Sequence, residues 1–243
     1  MKRTLVFGDI HGGLKALNQV LNRAKVSEND TLIFLGDYVD GWSESSSVIS
    51  RLIELEKSNN CVFIKGNHDQ WCEDWLRSSN GNSTWLFHGG ESTVNSYKGY
   101  NNEELRTHLN FFELMRNYYV DNKNRLFIHA GFASMHGVEK EPYPSNYSWD
   151  RTLWEMAYSL KDLELDESSL HYPKRFKHYS EIYIGHTPTT DYNVATPIIA
   201  QKLVNVDTGA AFKGKLTALD VDSKVFWQSD PLPELYPNEK GRN

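Results

Sequence analysis

Five short motifs place side chains that commonly bind metals directly after apolar runs of the chain. The first is GDIHG at 8–12, in which Asp9 and His11 follow the run Leu5-Val6-Phe7. A carboxylate and an imidazole just past the end of a strand can face one point, and together they suit a Lewis-acidic transition metal. A single motif of this kind is most often a plain turn, because Asp, Asn and Gly favour turns for local reasons.

The same arrangement recurs four times further along the chain. GDYVDG at 36–41, GNHD at 66–69, HAG at 129–131 and GHTP at 185–188 each end an apolar or β-branched run. In open α/β sheets, ligands bind beyond the carboxyl ends of the strands, so five strand ends would deliver polar side chains to one rim. The side chains expected there are Asp9, His11, Asp37, Asn67, His129 and His186.

The order and spacing of the first three motifs resemble the three-block signature of the metallophosphoesterase superfamily. Asp37 follows Asp9 by 28 residues, and Asn67 follows Asp37 by 30. The HAG and GHTP motifs resemble the later blocks of that family. The resemblance is strongest to the bacterial and phage Ser/Thr protein phosphatases of the PPP type, with the symmetrical diadenosine tetraphosphate hydrolases nearby. It extends from about residue 4 to about residue 220.

This resemblance implies a centre with two divalent metal ions. Asp37 is expected to bridge them, because a carboxylate has two oxygens and enough charge to hold two cations together. The implied ligand sets are Asp9, His11 and Asp37 for one ion, and Asp37, Asn67, His129 and His186 for the other. A bridging water would have its pKa lowered and would attack phosphorus as hydroxide, with no covalent phosphoenzyme. We expect Mn²⁺, with Fe/Zn pairs as the alternative, because all of these accept nitrogen and oxygen ligands.

His68 is the expected general acid for the leaving group. It follows Asn67 directly, so it would overhang the site without being a ligand itself. Asp40 could accept a hydrogen bond from one ring nitrogen of His68 and raise the proton affinity of the other. The resemblance assigns the same two roles, and Asn67 is also a candidate contact for the substrate.

One position departs from the pattern of the resembled phosphatases. They usually carry Arg directly after the second aspartate of the second block, where this chain has Gly41 followed by Trp42. Arg binds phosphate with a bidentate fork, so this contact is missing or supplied from elsewhere. Arg151, close to the Leu153-Trp154 pair, is a candidate substrate contact, while a structural ion pair is the more common role for such a residue.

Hydrophobic periodicity indicates an α/β fold. Amphipathic helices follow each of the first three motifs, which predicts a βαβαβ unit with parallel strands. A β-rich part begins near residue 182, and its sheet would pack on the first. The expected architecture, which the resemblance also implies, is a four-layer α/β/β/α sandwich of two mixed sheets flanked by helices. We predict one domain over residues 1–243, with an exposed, peripheral tail after about residue 231.

Individual elements follow from the same patterns. Strands are expected at 5–7, 31–35, 61–64, 118–120, 125–129, 182–184, 202–206, 215–220 and 224–228. Besides the helices after the motifs, others are expected at 91–97, 102–116 and 151–161, with a weaker one at 167–178. Residues 132–150 carry two prolines and several aromatic residues, which indicates a loop over the rim of the site.

Composition excludes several classes of protein. The net charge is −6, which gives no sign of a general nucleic-acid or membrane partner. Two cysteines form no disulfide framework, and no apolar run approaches the roughly 18 residues of a membrane helix. We therefore expect a cytoplasmic protein, and nothing in the sequence indicates its oligomeric state.

The sequence thus predicts a dinuclear-metal phosphoester hydrolase. Our principal interpretation is a phosphoserine or phosphothreonine protein phosphatase. A bis(5'-nucleosyl)-tetraphosphatase, or a hydrolase of another small phosphoester, is the alternative. A catalytically inactive scaffold is the hypothesis from a different class, and a complete set of candidate ligands argues against it.

Overall fold

Ten strands form two five-stranded sheets in a computed structural model that describes residues 2–242. The strands are β1 (Thr4–Phe7), β2 (Thr31–Phe34), β3 (Asn60–Phe63), β4 (Tyr118–Val120), β5 (Arg125–Ile128), β6 (Glu181–Ile184), β7 (Ile198–Ala200), β8 (Leu203–Asn205), β9 (Thr217–Asp220) and β10 (Phe226–Gln228). The first sheet has the order β10-β9-β1-β2-β3, and the second has the order β4-β5-β6-β8-β7.

Nine α-helices connect and flank these strands within the described residues. They are α1 (Leu14–Arg23), α2 (Ser45–Glu56), α3 (Asn67–Ser78), α4 (Ser83–Trp85), α5 (Glu91–Ser96), α6 (Asn102–Glu113), α7 (Asn146–Trp149), α8 (Thr152–Ser159) and α9 (Leu232–Leu235). None of the helices in residues 2–242 has the length and apolar character needed to cross a membrane.

Parallel pairing at the centre of each sheet brings the motifs to one rim. Strand β2 pairs in parallel with both β1 and β3, and β6 pairs in parallel with both β5 and β8. The outer strands β9, β10, β4 and β7 run antiparallel to their neighbours. The carboxyl ends of β1, β2 and β3 therefore share one edge of the first sheet, and those of β5 and β6 share one edge of the second.

Three apolar clusters separate four layers. The central cluster joins Val6 and Ile33 of the first sheet to Phe127 and Tyr183 of the second. The first sheet packs its other face on α1 and α2, and the second packs its other face on α8. Because both faces of the central strands are covered, their apolar runs are nearly continuous. The predicted four-layer fold of two mixed sheets flanked by helices is confirmed.

Three local predictions differ from the structure. The weak helix expected at 167–178 is wrong: only a short 3₁₀ turn forms, Lys174–His178, directly after Pro173, whose ring removes a backbone donor. Strand β7 was not predicted, because three residues after Pro197 are too short a run to show alternation. Strands β9 and β10 were expected in the second sheet with the other strands after residue 182, and this is wrong: they pair beside β1 in the first sheet, because local pattern does not specify which strands pair.

The segment after residue 231 is packed against the domain, so the prediction of an exposed, peripheral tail is wrong. Leu232 is fully buried and Tyr236 is 2% exposed. The Tyr236 hydroxyl accepts a hydrogen bond from the backbone N–H of Lys15 at 3.0 Å. Leu232, Leu235 and Tyr236 recur at helical spacing, so one short turn presents an apolar face to the core beside α1.

Candidate active site

The rim assembles two overlapping groups of buried carboxylate and imidazole side chains. Asp9, His11 and Asp37 form one group, and Asp37, His129 and His186 form the other; within each, the candidate ligand atoms lie within 4.8 Å of one another. Oδ2 of Asp37 lies 3.6 Å from Nε2 of His11 and 3.5 Å from Nε2 of His129. Asp37 therefore stands at the centre of the site and belongs to both groups.

Asn67 joins the second group from the start of α3. Its Oδ1 lies 3.3 Å from Nε2 of His129. All six residues that the sequence singled out as metal ligands are thus brought together at one rim. They come from five different strand ends, as the rule for ligands in α/β sheets leads one to expect.

Second contacts fix the orientation of two of the imidazoles. Nδ1 of His129 donates to the carbonyl oxygen of Leu35 at 2.8 Å, and Nδ1 of His11 donates to that of Val39 at 3.1 Å. With Nδ1 as the donor, Nε2 of His11 keeps its lone pair, and Nε2 of each ring faces Asp37. Histidines that bind metals usually donate their other ring nitrogen to a backbone carbonyl or carboxylate in this way.

The backbone at these positions is unusual. His11, Asp37, Asp40 and His186 have φ values of 51°, 51°, 72° and 66°, in the left-handed region that non-glycine residues rarely adopt. Such conformations persist where the surrounding structure holds them, and they cluster at functional sites. At His11, Asp37 and His186 this conformation turns the chain beyond a strand, so that the side chain joins the ligand groups. At Asp40 it turns the carboxylate toward His68.

Two glycines give the carboxylates room. A Cβ atom at Gly66 would lie 2.1 Å from Oδ1 of Asp37, and one at Gly185 would lie 2.1 Å from Oδ1 of Asp9. Both distances are far below van der Waals contact, so any side chain at either position would displace a candidate ligand.

The buried carboxylates need positive charge nearby to stay ionised. Burial, together with the neighbouring Asp207, raises the pKa of Asp9 well above its usual value. Burial alone would also raise the pKa of Asp37, but the facing His129 and its neighbours hold that pKa well below its usual range. Within residues 2–242, neither Asp9 nor Asp37 has a lysine or arginine partner; their ion pairs are with histidines only.

The histidines supply nitrogen donors of the required kind. Burial lowers the pKa of His11 and of His186 well below the usual value, so both imidazoles are neutral. Nε2 of His186 is buried without a hydrogen-bond partner among the described residues. Burial also disfavours the charged form of His129, but the Asp37 carboxylate outweighs this and raises its pKa to about 10. Divalent transition metals accept ligand sets of carboxylate oxygens and imidazole nitrogens, and the unpartnered Nε2 of His186 is available as one of these ligands.

His68 and Asp40 form a buried pair beside the ligand groups. Nδ1 of His68 lies 2.5 Å from Oδ2 of Asp40, and both side chains are fully buried. The carboxylate also accepts hydrogen bonds from Nε1 of Trp85 at 2.7 Å and from the Thr93 hydroxyl at 2.6 Å. Nε2 of His68 has no partner within residues 2–242. The geometry is that of an imidazole held on one side and available for proton transfer on the other.

Trp85 and Thr93, which hold Asp40, were not identified as site residues from the sequence. The sequence did contain an indication of their segment, because the Gly89-Gly90 pair followed by Thr93 resembles a segment of the bacterial phosphatases. Helices α4 and α5 place the two donors on opposite oxygens of Asp40.

Asp69 is a second residue whose role the sequence did not reveal. Its carboxylate accepts hydrogen bonds from the backbone N–H groups of Asp37, Tyr38 and Gly66 at 2.7, 2.9 and 2.8 Å. It therefore ties the turn after β2 to the start of α3. Burial, together with the nearby Asp37, raises the pKa of Asp69 to about 7.

A small cavity of about 100 Å³ opens onto the ligand groups. Arg151, the predicted substrate contact, lines it at the exposed end of α8. Arg242 and Asp207 also line it, although neither was predicted as a site residue. Asp207 lies just after β8, in a segment that resembles a turn near the metal rim of related phosphatases, but it was not among the predicted site residues.

Comparisons with known proteins agree with this geometry. A family model described as calcineurin-like phosphoesterase matches residues 2–206. A relative from Oceanobacillus iheyensis, named bis(5'-nucleosyl)-tetraphosphatase PrpE [asymmetrical], is 29% identical over 239 residues, which cover 91% of this chain and 89% of the relative.

Two solved structures share the fold. A putative diadenosine tetraphosphatase superposes with a TM-score of 0.63 at 15% identity, covering 93% of this chain and 92% of that protein. A Saccharomyces cerevisiae Ser/Thr phosphatase with similarity to human PP5 gives 0.62 at 15% identity, covering 94% and 79%. Five strand ends meet around a shared aspartate, and the family model matches most of the chain. The chain therefore belongs to the calcineurin-like phosphoesterase family and is a metal-dependent phosphoester hydrolase.

Proposed function

We propose that this protein hydrolyses bis(5'-nucleosyl) tetraphosphates asymmetrically, with Mn²⁺ as the activating metal. The observation that carries the proposal is the similarity, over nearly the whole length of both chains, to the Oceanobacillus protein of that name. This was our alternative interpretation of the sequence, and it is now better supported than the phosphoprotein phosphatase.

The surroundings of the cavity suit such a substrate. Its volume of about 100 Å³ is well below the roughly 300–1,000 Å³ of sites that enclose a whole small molecule. A phosphoryl group would enter it, while the rest of the substrate would lie on the surface around it. Two arginines at the cavity supply positive charge for a polyphosphate.

An exposed aromatic side chain lies beside the ligand groups. Trp149, at the end of α7, is 46% exposed. Its ring centroid lies 6.2 Å from that of His186 and 5.2 Å from that of Trp71, and Trp71 in turn packs on His68. Aromatic faces of this kind stack nucleobases. A base held on Trp149, so close to His186, would favour attack at the phosphate nearest its own nucleoside, which is asymmetrical cleavage.

The residues of the site have distinct expected roles. Asp9, His11 and Asp37 would hold one divalent ion, and Asp37, Asn67, His129 and His186 would hold the other. Bound ions supply Lewis acidity and a water of lowered pKa. His68, held by Asp40, donates a proton from Nε2 to the leaving oxygen. Arg151 contacts a phosphate oxygen, and Asn67 is placed to contact the substrate as well.

A phosphoserine or phosphothreonine protein phosphatase is the second candidate. The motifs that resemble the PPP-type enzymes favour it. The structural comparisons do not separate the two candidates, because the tetraphosphatase and the Ser/Thr phosphatase superpose almost equally well, at 0.63 and 0.62. At 15% identity these similarities concern the fold alone.

Initial rates on three substrates test the proposal. The Mn²⁺-loaded protein is assayed with diadenosine tetraphosphate, a phosphothreonine peptide and p-nitrophenyl phosphate. We expect kcat/KM to be highest for the dinucleotide, by at least about tenfold, because stacking of one base alone contributes roughly 1–3 kcal/mol. A clear preference for the peptide would refute the proposal and support the second candidate.

A matched variant sharpens this assay. Trp149→Ala should lower kcat/KM for diadenosine tetraphosphate and leave that for an alkyl phosphate unchanged, because only the dinucleotide has an aromatic ring to stack. An equal loss on both substrates would show that Trp149 only supports the rim.

A further inference from the structure

The segment that contains Arg242 lies directly against Gly41, at the position where the second motif lacks an arginine. Gly41 has φ = +101°, a conformation that a residue with a side chain rarely adopts, and a Cβ atom there would lie 3.4 Å from the backbone nitrogen of Arg242. An arginine at position 41 would therefore need a strained backbone, and its side chain would begin in contact with the segment at 242.

Residues next to Gly41 hold that segment in place. The fully buried Trp42 stacks on Tyr236, with ring centroids 5.2 Å apart and planes inclined by 25°. A Cβ atom at Gly241 would lie 2.8 Å from the Trp42 ring, so the backbone runs directly against the indole. Ser43 donates from its backbone N–H and its hydroxyl to the Glu239 carboxylate, at 2.9 and 2.8 Å.

These contacts place Arg242 at the cavity. Its backbone N–H donates to the carbonyl oxygen of Ala211 at 2.8 Å, and its guanidinium lies over the Phe212 ring, 5.6 Å from the centroid. Nε of Arg242 is buried without a hydrogen-bond partner in residues 2–242. No carboxylate of the described residues forms an ion pair with Arg242, although Asp207 lines the same cavity. The unpartnered Nε is therefore available to another anion.

Arg242 and Arg151 line the same small cavity, together with Asp9, His11 and His186 of the ligand groups. Two guanidinium groups at one cavity can provide two contacts to one phosphate.

We propose that Arg242 is a phosphate-binding residue that replaces, from a distant part of the chain, the arginine that the second motif lacks. Gly41, Trp42 and Ser43 contact the segment around Arg242 and thereby position the Arg242 side chain at the cavity. The inference rests on the proposed role of the cavity as a phosphoester site, and it holds for a dinucleotide and for a phosphopeptide alike.

Equilibrium binding of inorganic phosphate tests this proposal without turnover. Isothermal titration of the Mn²⁺-loaded protein compares the wild type with Arg242→Gln, Arg242→Lys and Lys240→Gln. Lys240 is exposed, so its variant removes the same charge from the same segment without touching the cavity. We expect Arg242→Gln to weaken phosphate binding about 10- to 100-fold, the range for a charge-assisted hydrogen bond, and Arg242→Lys to recover part of it. Metal content and the midpoint of thermal unfolding should stay at wild-type values, as should phosphate binding in Lys240→Gln.

Unchanged phosphate affinity in Arg242→Gln would overturn the inference. So would an equal loss in Lys240→Gln or a loss of metal in Arg242→Gln, because either would mean that the segment only supports the fold. The result is separable from the proposed function. A protein that prefers phosphopeptides but loses phosphate affinity in Arg242→Gln would keep this inference and refute the proposed substrate. A protein that prefers the dinucleotide but keeps its phosphate affinity in Arg242→Gln would support the proposed substrate and refute this inference.

Discussion

Replacing Asp37 with asparagine is expected to remove both metal ions and to lower kcat/KM by more than about 10³-fold. Asp37 is the one residue shared by both ligand groups. Asparagine keeps its shape but loses the charge and one of the two oxygens that face the groups. The loss should exceed the roughly 10- to 100-fold cost of altering a residue that only supports a ligand.

The measurement is metal content by elemental analysis after dialysis, together with rates on p-nitrophenyl phosphate. Asp9 and His186 each belong to a single group, so Asp9→Asn and His186→Asn should each lose one ion and keep the other. Asp162→Asn makes the same change of charge at an exposed position and should behave like the wild type. An Asp37→Asn protein that folds and retains two ions would contradict the shared-ligand assignment.

Replacing His68 with glutamine is expected to keep both ions but to slow hydrolysis according to the leaving group. His68 belongs to neither ligand group, and its Nε2 is available for proton transfer while Asp40 holds Nδ1. General acid catalysis contributes roughly 10²–10⁴-fold. An alkyl phosphate should therefore slow by at least about 10²-fold. p-Nitrophenyl phosphate should change far less, because its leaving group needs little protonation.

The Asp40→Asn variant provides a graded comparison for the same assay. Asparagine can still accept one hydrogen bond, but it stabilises the protonated imidazole less, so the alkyl ester should again be affected more than the nitrophenyl ester. Equal slowing of both esters in His68→Gln would show that His68 only supports the fold of the site.

The central part of the site could be predicted from the sequence because its geometry follows from local rules. An apolar run ends, a glycine allows a turn, and a polar side chain faces the edge of the sheet. Asp9, Asp37 and His186 each obey this pattern, and parallel pairing of β1, β2 and β3 and of β5 and β6 brings their ends together. The four-layer fold follows from the same continuous apolar strands.

What escaped prediction depends on tertiary contacts between distant residues. Arg242 reaches the site only because Tyr236 and Gly241 pack on Trp42, and no local pattern links positions 42 and 242. Thr93 and Trp85 hold Asp40 from helices whose placement is set by the core. The departure at Gly41 indicated that this phosphate contact is missing or supplied from elsewhere, but it did not indicate which residue would supply it.

Product analysis in oxygen-18 water is the decisive measurement for asymmetrical cleavage. The Mn²⁺-loaded protein is incubated with diadenosine tetraphosphate, and the products are identified by mass spectrometry. We predict AMP and ATP, with one labelled oxygen for each bond cleaved, because water attacks phosphorus at the phosphate next to one nucleoside. Two molecules of ADP would contradict asymmetrical cleavage. An intact dinucleotide, under conditions in which a phosphothreonine peptide is dephosphorylated, would contradict the proposed substrate altogether.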